Sequence, residues 1–96
     1  MSKNNQSSLG DAIDAYLRKN GLHERVKVEG VIAEWGRIMG TAIAENTEKV
    51  WYKDRILYVQ IGNPVWKNEL SLAKTKIKDI VNREIGEPIV QEVRIV

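Results

Sequence analysis

The sequence holds no cysteine and a single histidine among its 96 residues. The first absence excludes disulfides, thiolate metal sites and a cysteine nucleophile. The second leaves His23 alone in "NGLHER", a loop signal, where no motif pairs it with a serine or a carboxylate. It reads as a surface loop residue. No H-E-x-x-H, P-loop or G-x-G-x-x-G occurs, and no His or carboxylate cluster has metal-ligand spacing. No apolar run approaches the roughly 20 residues that span a bilayer, and the opening "MSKNNQSS" is polar. Nor does charge of one sign dominate. Fifteen basic residues face 13 acidic ones for a net charge of +2, so any claim about a polyanion must rest on where the charges sit. Together these absences describe a soluble cytosolic protein that is not an enzyme, with no cofactor, metal, membrane span or small-molecule substrate.

What remains is ordinary globular composition, 43% hydrophobic and 29% charged, in a chain of one-domain length. Residues 1–7 form a polar tail, and residues 8–96 read as a single domain. Ser8 can cap a first helix near 9–20, with Leu9, Ile13, Tyr16 and Leu17 at helical spacing and Gly21 as its stop. Val28, Val31, Ile32, Trp35, Ile38 and Met39 give a second helical stripe through Gly30 and Gly36. Gly40 ends that stripe, and Thr41 caps a short continuation, "TAIAEN". The spacing Gly36–Gly40 suits close helix packing. The period then changes to that of strands, and the tight turn "KDR" predicts a hairpin of 48–53 and 56–62. Asn63 and Pro64 open one long helix to residue 85, buried along Trp66, Leu70, Ala73, Ile77, Ile80 and Val81, which Gly86 stops. "IVQEVRIV" supplies a third strand, with Ile89, Val93 and Ile95 on one side. The order α-α-(α)-β-β-α-β predicts an α+β fold with helices on one face of a three-stranded sheet.

The long helix carries the pattern that points to function. At about 100° per residue, Lys74 and Lys78 each fall within about 20° of Lys67, with Ser71 and Asn82 near the same line. A cationic row beside an uncharged one suits a phosphate backbone, although solvated lysines on an exposed face give the same pattern. Lys53 and Arg55 at the hairpin turn, and Lys49 before it, add cations. Tyr58 alternates out of phase with Leu57 and Val59, so it either stacks on a base or packs across the strands. Trp35 and Trp66 belong to the core stripes. By electrostatics the phosphate-contacting set is Lys67, Lys74, Lys78, Lys53 and Arg55, with Tyr58 as the stacking ring.

The stretch "EWGRIMGTAIAENTEKVWYKDRILYVQIGNPVWKNELSLAKTKIKDIVNREIG" resembles the DciA family of bacterial proteins. Its marks are Trp35 followed by Gly40 and "IAENT", the strand "KDRILYVQI", Trp66 with the "NEL" after it, and a helix ending in "IG". The likeness covers about residues 31–96. It implies a KH-like domain, and a partnership with the replicative helicase in placing it on single-stranded DNA. Many members also extend beyond this domain with a tail. The GXXG loop with which KH domains clamp a nucleic-acid backbone is absent from the sequence. Two other functions fit the residues. One is a protein-interaction module that binds no nucleic acid and uses Leu72 or the Ile56–Tyr58 face. The other is a KH-like RNA-binding protein that holds the backbone with a different loop.

Overall fold

The Ser8 hydroxyl accepts from the N–H of Asp11 at 3.4 Å, and α1 (Leu9–Lys19) starts from that cap. A computed structural model describes residues 8–96, so the polar tail at 1–7 lies outside the described residues. Five more helices and three strands follow: α2 (His23–Ala33), α3 (Trp35–Met39), α4 (Thr41–Asn46), β1 (Thr47–Lys53), β2 (Ile56–Ile61), α5 (Pro64–Leu72), α6 (Lys74–Ile85) and β3 (Glu92–Ile95). The fold is α+β, with helices packed against a three-stranded sheet. No described helix is long and apolar enough to cross a membrane.

Two helices predicted as continuous are broken. The second stripe bends at Glu34, and Gly40 adopts φ 94° between α3 and α4, a backbone conformation open mainly to glycine. The long helix breaks at Ala73, whose N–H bonds back to the Leu70 carbonyl at 3.0 Å in a tightened last turn. No glycine or proline marks that break. Its cause is tertiary, because α5 packs on β2 and β3 whereas α6 packs on β3, α2 and α3.

The sheet runs β1-β2-β3. The hairpin β1–β2 is antiparallel and places Trp51 opposite Tyr58; β3 runs parallel to β2 and places Arg94 beside Tyr58. The turn between β1 and β2 has two residues, Asp54 and Arg55, both at positive φ (52° and 67°), the backbone of a type I′ hairpin. Burial alternates along β2, with Leu57, Val59 and Ile61 inside. These side chains meet Val28, Val31, Trp35, Leu70, Ile77, Val81 and Val93 in one core. Trp35 is satisfied within that core, since its Nε1 donates to Thr47 Oγ1 at 3.2 Å. The helices therefore cover one face of the sheet, and the other carries Lys49, Trp51, Lys53, Ile56, Tyr58, Gln60, Glu92 and Arg94, none of them buried.

Candidate nucleic-acid interface

The edge strand β3 separates two cationic surfaces. On its helix side, Lys74, Thr75 and Lys78 of α6 face Gln91, Glu92 and Val93 across a shallow cleft. α6 starts at this cleft without a side-chain cap, because Ala73 has nothing to offer its first N–H groups. The positive end of the helix thus adds to the lysine charges. The cleft wall is held by Asn82, whose amide donates to the Val90 carbonyl and accepts from the Val90 N–H, both at 2.9 Å. This clamp fixes the approach to β3 against α6, with Gly86 (φ 86°) turning the chain between them.

Across the strand lies the uncovered sheet face. Trp51 and Tyr58 stack with ring centroids 5.2 Å apart and planes 6° from parallel. Arg94 lies over Tyr58 at 5.9 Å and the Lys49 ammonium lies over Trp51 at 5.1 Å. A ladder of cation, ring, ring and cation therefore crosses all three strands. Arg94 also binds Glu92, with Nε 2.8 Å from a carboxylate oxygen. That bond is the main cause holding the Glu92 carboxyl below its ordinary range, and the more distant charge of Lys74 acts in the same sense. Lys74 thereby reaches the acid that also borders the sheet face, so the two surfaces meet at Glu92.

The residues singled out from sequence divide accordingly. Lys74 and Lys78 stand together at the cleft, and Lys53 and Tyr58 stand on the sheet face. Lys67 is exposed on α5, on the far side of the Ala73 break, so the single row of three lysines does not exist as one helix face. Arg55 is occupied: its Nη2 lies 2.6 Å from Glu24 Oε2, which ties the hairpin turn to α2 and raises the guanidinium pKa further. Tyr58 is packed across the strands rather than bare. Of the sheet-face partners, Lys49 is legible in the sequence only as a further cation near the turn, and Trp51 and Arg94 are not among the candidates. Cross-strand register, which sequence spacing gave only for the hairpin, is what assembles them.

Among the described residues, four of the six arginines are paired and the lysines are not. Arg18, Arg37, Arg55 and Arg94 each pair with a carboxylate, whereas no lysine lies within ion-pair distance of one. Lys53, Lys67, Lys74 and Lys78 keep their charge available to an outside anion.

His23 departs from its expected place. It is the first residue of α2, only 7% exposed, not a surface loop residue. Its Nε2 lies 3.0 Å from Glu87 and its Nδ1 lies 3.4 Å from Asp14. These acids are distant or unremarkable in sequence, so only the folded chain brings them to the ring. The imidazole tethers α1, which has no buried residue of its own, to the turn after α6. Leu9, Ile13 and Tyr16 of α1 remain exposed, as do Val65 and Leu72 of α5.

A family model described as "Dna[CI] antecedent, DciA" matches residues 8–95. A UPF0232 protein of Corynebacterium glutamicum (strain R) is 24% identical over 88 residues, which cover 92% of this chain and 49% of that protein. A UPF0232 protein of Streptomyces avermitilis is 27% identical over 90 residues, 92% of this chain and 50% of that protein. One from Mycobacterium tuberculosis (strain ATCC 25618 / H37Rv) is 24% identical over 87 residues, 91% and 46% respectively. The chain spans about half the length of these curated relatives. No solved structure matches it.

Proposed function

Because the chain belongs to the DciA family, we propose that it is a non-enzymatic adaptor that holds single-stranded DNA and assists the replicative helicase in engaging it. The observation that carries the DNA part is the unpaired Lys74–Lys78 pair beside the uncapped start of α6. Ammonium groups beyond ion-pair distance of any described carboxylate, lining a groove at the positive end of a helix, suit phosphate oxygens even with Glu92 across the cleft. The exposed apolar side chains of α5, Val65 and Leu72, the latter 79% exposed, supply a separate surface for the helicase. Phosphate grip by lysines needs no GXXG loop, so a KH-like domain lacking that loop still serves.

Neutralising the pair tests the reading. A phosphate contact on a single strand changes log K by about 0.7 per tenfold change in salt, or about fivefold in affinity at 0.1 M salt. Lys74→Gln with Lys78→Gln should then weaken oligonucleotide binding about 25-fold at 0.1 M salt and make the salt slope shallower by about 1.4. Unchanged affinity in the folded double variant removes the cleft from the interface. Binding of the purified helicase by the parent chain, but not by a variant with Leu72→Glu, tests the adaptor half.

A further inference from the structure

We infer that the edge-facing side of Trp51 is a seat for one unstacked nucleobase, closed in the free protein by the Lys49 side chain. This deepens the nucleic-acid reading above and rests on it. A lysine cleft reads charge alone, and a duplex carries the same charge as two single strands. The seat supplies what the cleft lacks, a contact that only an unstacked base can make.

The geometry singles out Trp51 from the two ladder rings. Tyr58 stands on the central strand and has a neighbour in both directions, Trp51 at 5.2 Å and Arg94 at 5.9 Å. Trp51 stands on β1, an edge strand, so no further strand lies beyond it. Besides Tyr58, the Lys49 ammonium lies over its ring at 5.1 Å. Lys49 is exposed and makes no ion pair among the described residues, so little holds it there. A lysine–ring contact at an exposed site contributes about two- to fivefold to an equilibrium. A base stacked on an aromatic ring contributes about 5- to 160-fold in affinity. The base therefore wins the exchange. The displaced ammonium, two residues from Trp51 on the same strand, is then free to meet the phosphate that flanks the seated base. The cover becomes a contact.

The test compares two strands of equal charge in the intact chain: a fluorescent oligo-thymidylate and an abasic deoxyribose-phosphate strand of the same length. At fixed low salt the parent chain should bind the thymidylate about tenfold more tightly than the abasic strand. Trp51→Leu should bring thymidylate affinity down to the abasic value and leave abasic affinity unchanged. Trp51→Tyr, which keeps a ring, should retain most of the preference, and so separates the seat from general damage to the sheet. Lys49→Gln should keep the preference while making the salt slope for thymidylate shallower by about 0.7. Equal binding of the two strands by the parent chain overturns the seat, as does a Trp51→Leu variant that weakens both strands alike. If equal binding is accompanied by a 25-fold loss in the Lys74→Gln, Lys78→Gln variant, the seat falls while the phosphate cleft stands. Should neither strand bind, both readings fall.

Discussion

Replacing Asn82 tests whether the cleft is held by one amide. Val90 is 2% exposed, and its N–H and carbonyl both bond to the Asn82 side chain at 2.9 Å. Asn82→Ala leaves both groups without a partner in a place water reaches poorly. Each such loss costs about 1–3 kcal/mol, so the pair should cost about 2–6 kcal/mol. A chain of this length has about 5–14 kcal/mol of total stability, and the melting temperature should fall by about 10–30 °C. Asn82→Asp refines the test. The new carboxylate still accepts from the Val90 N–H but has no proton for the Val90 carbonyl, which it repels; the protonated acid can donate there. Its folded pKa therefore rises above the value of about 3.9 found in an unfolded chain. An acid with a raised folded pKa binds more protons folded than unfolded, so stability falls as pH rises through that window. The deficit of Asn82→Asp relative to the parent should be smallest below about pH 4 and full at neutral pH, whereas that of Asn82→Ala should not follow pH. Thermal melts of the three proteins at several pH values, with hydrogen exchange at the Val90 amide, decide the matter. A loss below about 0.5 kcal/mol for Asn82→Ala, or identical pH profiles for the two variants, would falsify the clamp.

Two further outcomes follow from tethers elsewhere. His23→Leu should raise hydrogen exchange throughout α1 while leaving exchange in β2 unchanged, because the helix is held by that ring more than by burial. The parent chain should release α1 in acid. The Arg18 guanidinium, foremost, and His23 hold the Asp14 carboxyl below its ordinary 3.8, so its contribution is present above that value and disappears as pH falls through the folded one; a helix that stays protected at pH 2 contradicts this. At the hairpin, Asp54→Gly should change stability by less than about 1 kcal/mol, since relief of the positive φ is offset by glycine's entropy in the unfolded chain. Denaturant melts check it, and a loss of several kcal/mol would show that Asp54 does more than turn the chain.

The parts of the fold legible in the sequence were those set by local chemistry. Ser8 and Asn63 as caps, Gly21, Gly40 and Gly86 as stops, and the alternation through β2 all report on neighbours within a few residues. The breaks at Glu34 and Ala73 left no such mark, because they come from helices choosing different partners. The same distinction governs the site. Lys74 and Lys78, one helical turn apart, are legible as a pair, but Lys67 joins them only on an unbroken helix, and the helix breaks at Ala73. Arg55 looked like a free cation because Glu24 is 31 residues away in sequence. His23 looked idle because Glu87 is 64 residues away. The hairpin pattern puts Trp51 and Tyr58 on paired strands, yet Arg94 joins their ladder only through the parallel register of β3, which no local pattern encodes.

The unequal roles of the two basic side chains have a consequence for regulation. Guanidinium groups tie α3 to α6 through Arg37 and Glu84 and the hairpin turn to α2 through Arg55 and Glu24, whereas no amine among the described residues forms an ion pair between elements. Acylation converts amines to neutral amides and spares guanidinium groups, so it would weaken attraction for polyanions and leave the ion pairs that join elements standing. Surface charge and integrity of the fold can thus be adjusted by separate chemistry, reversibly, on a finished molecule.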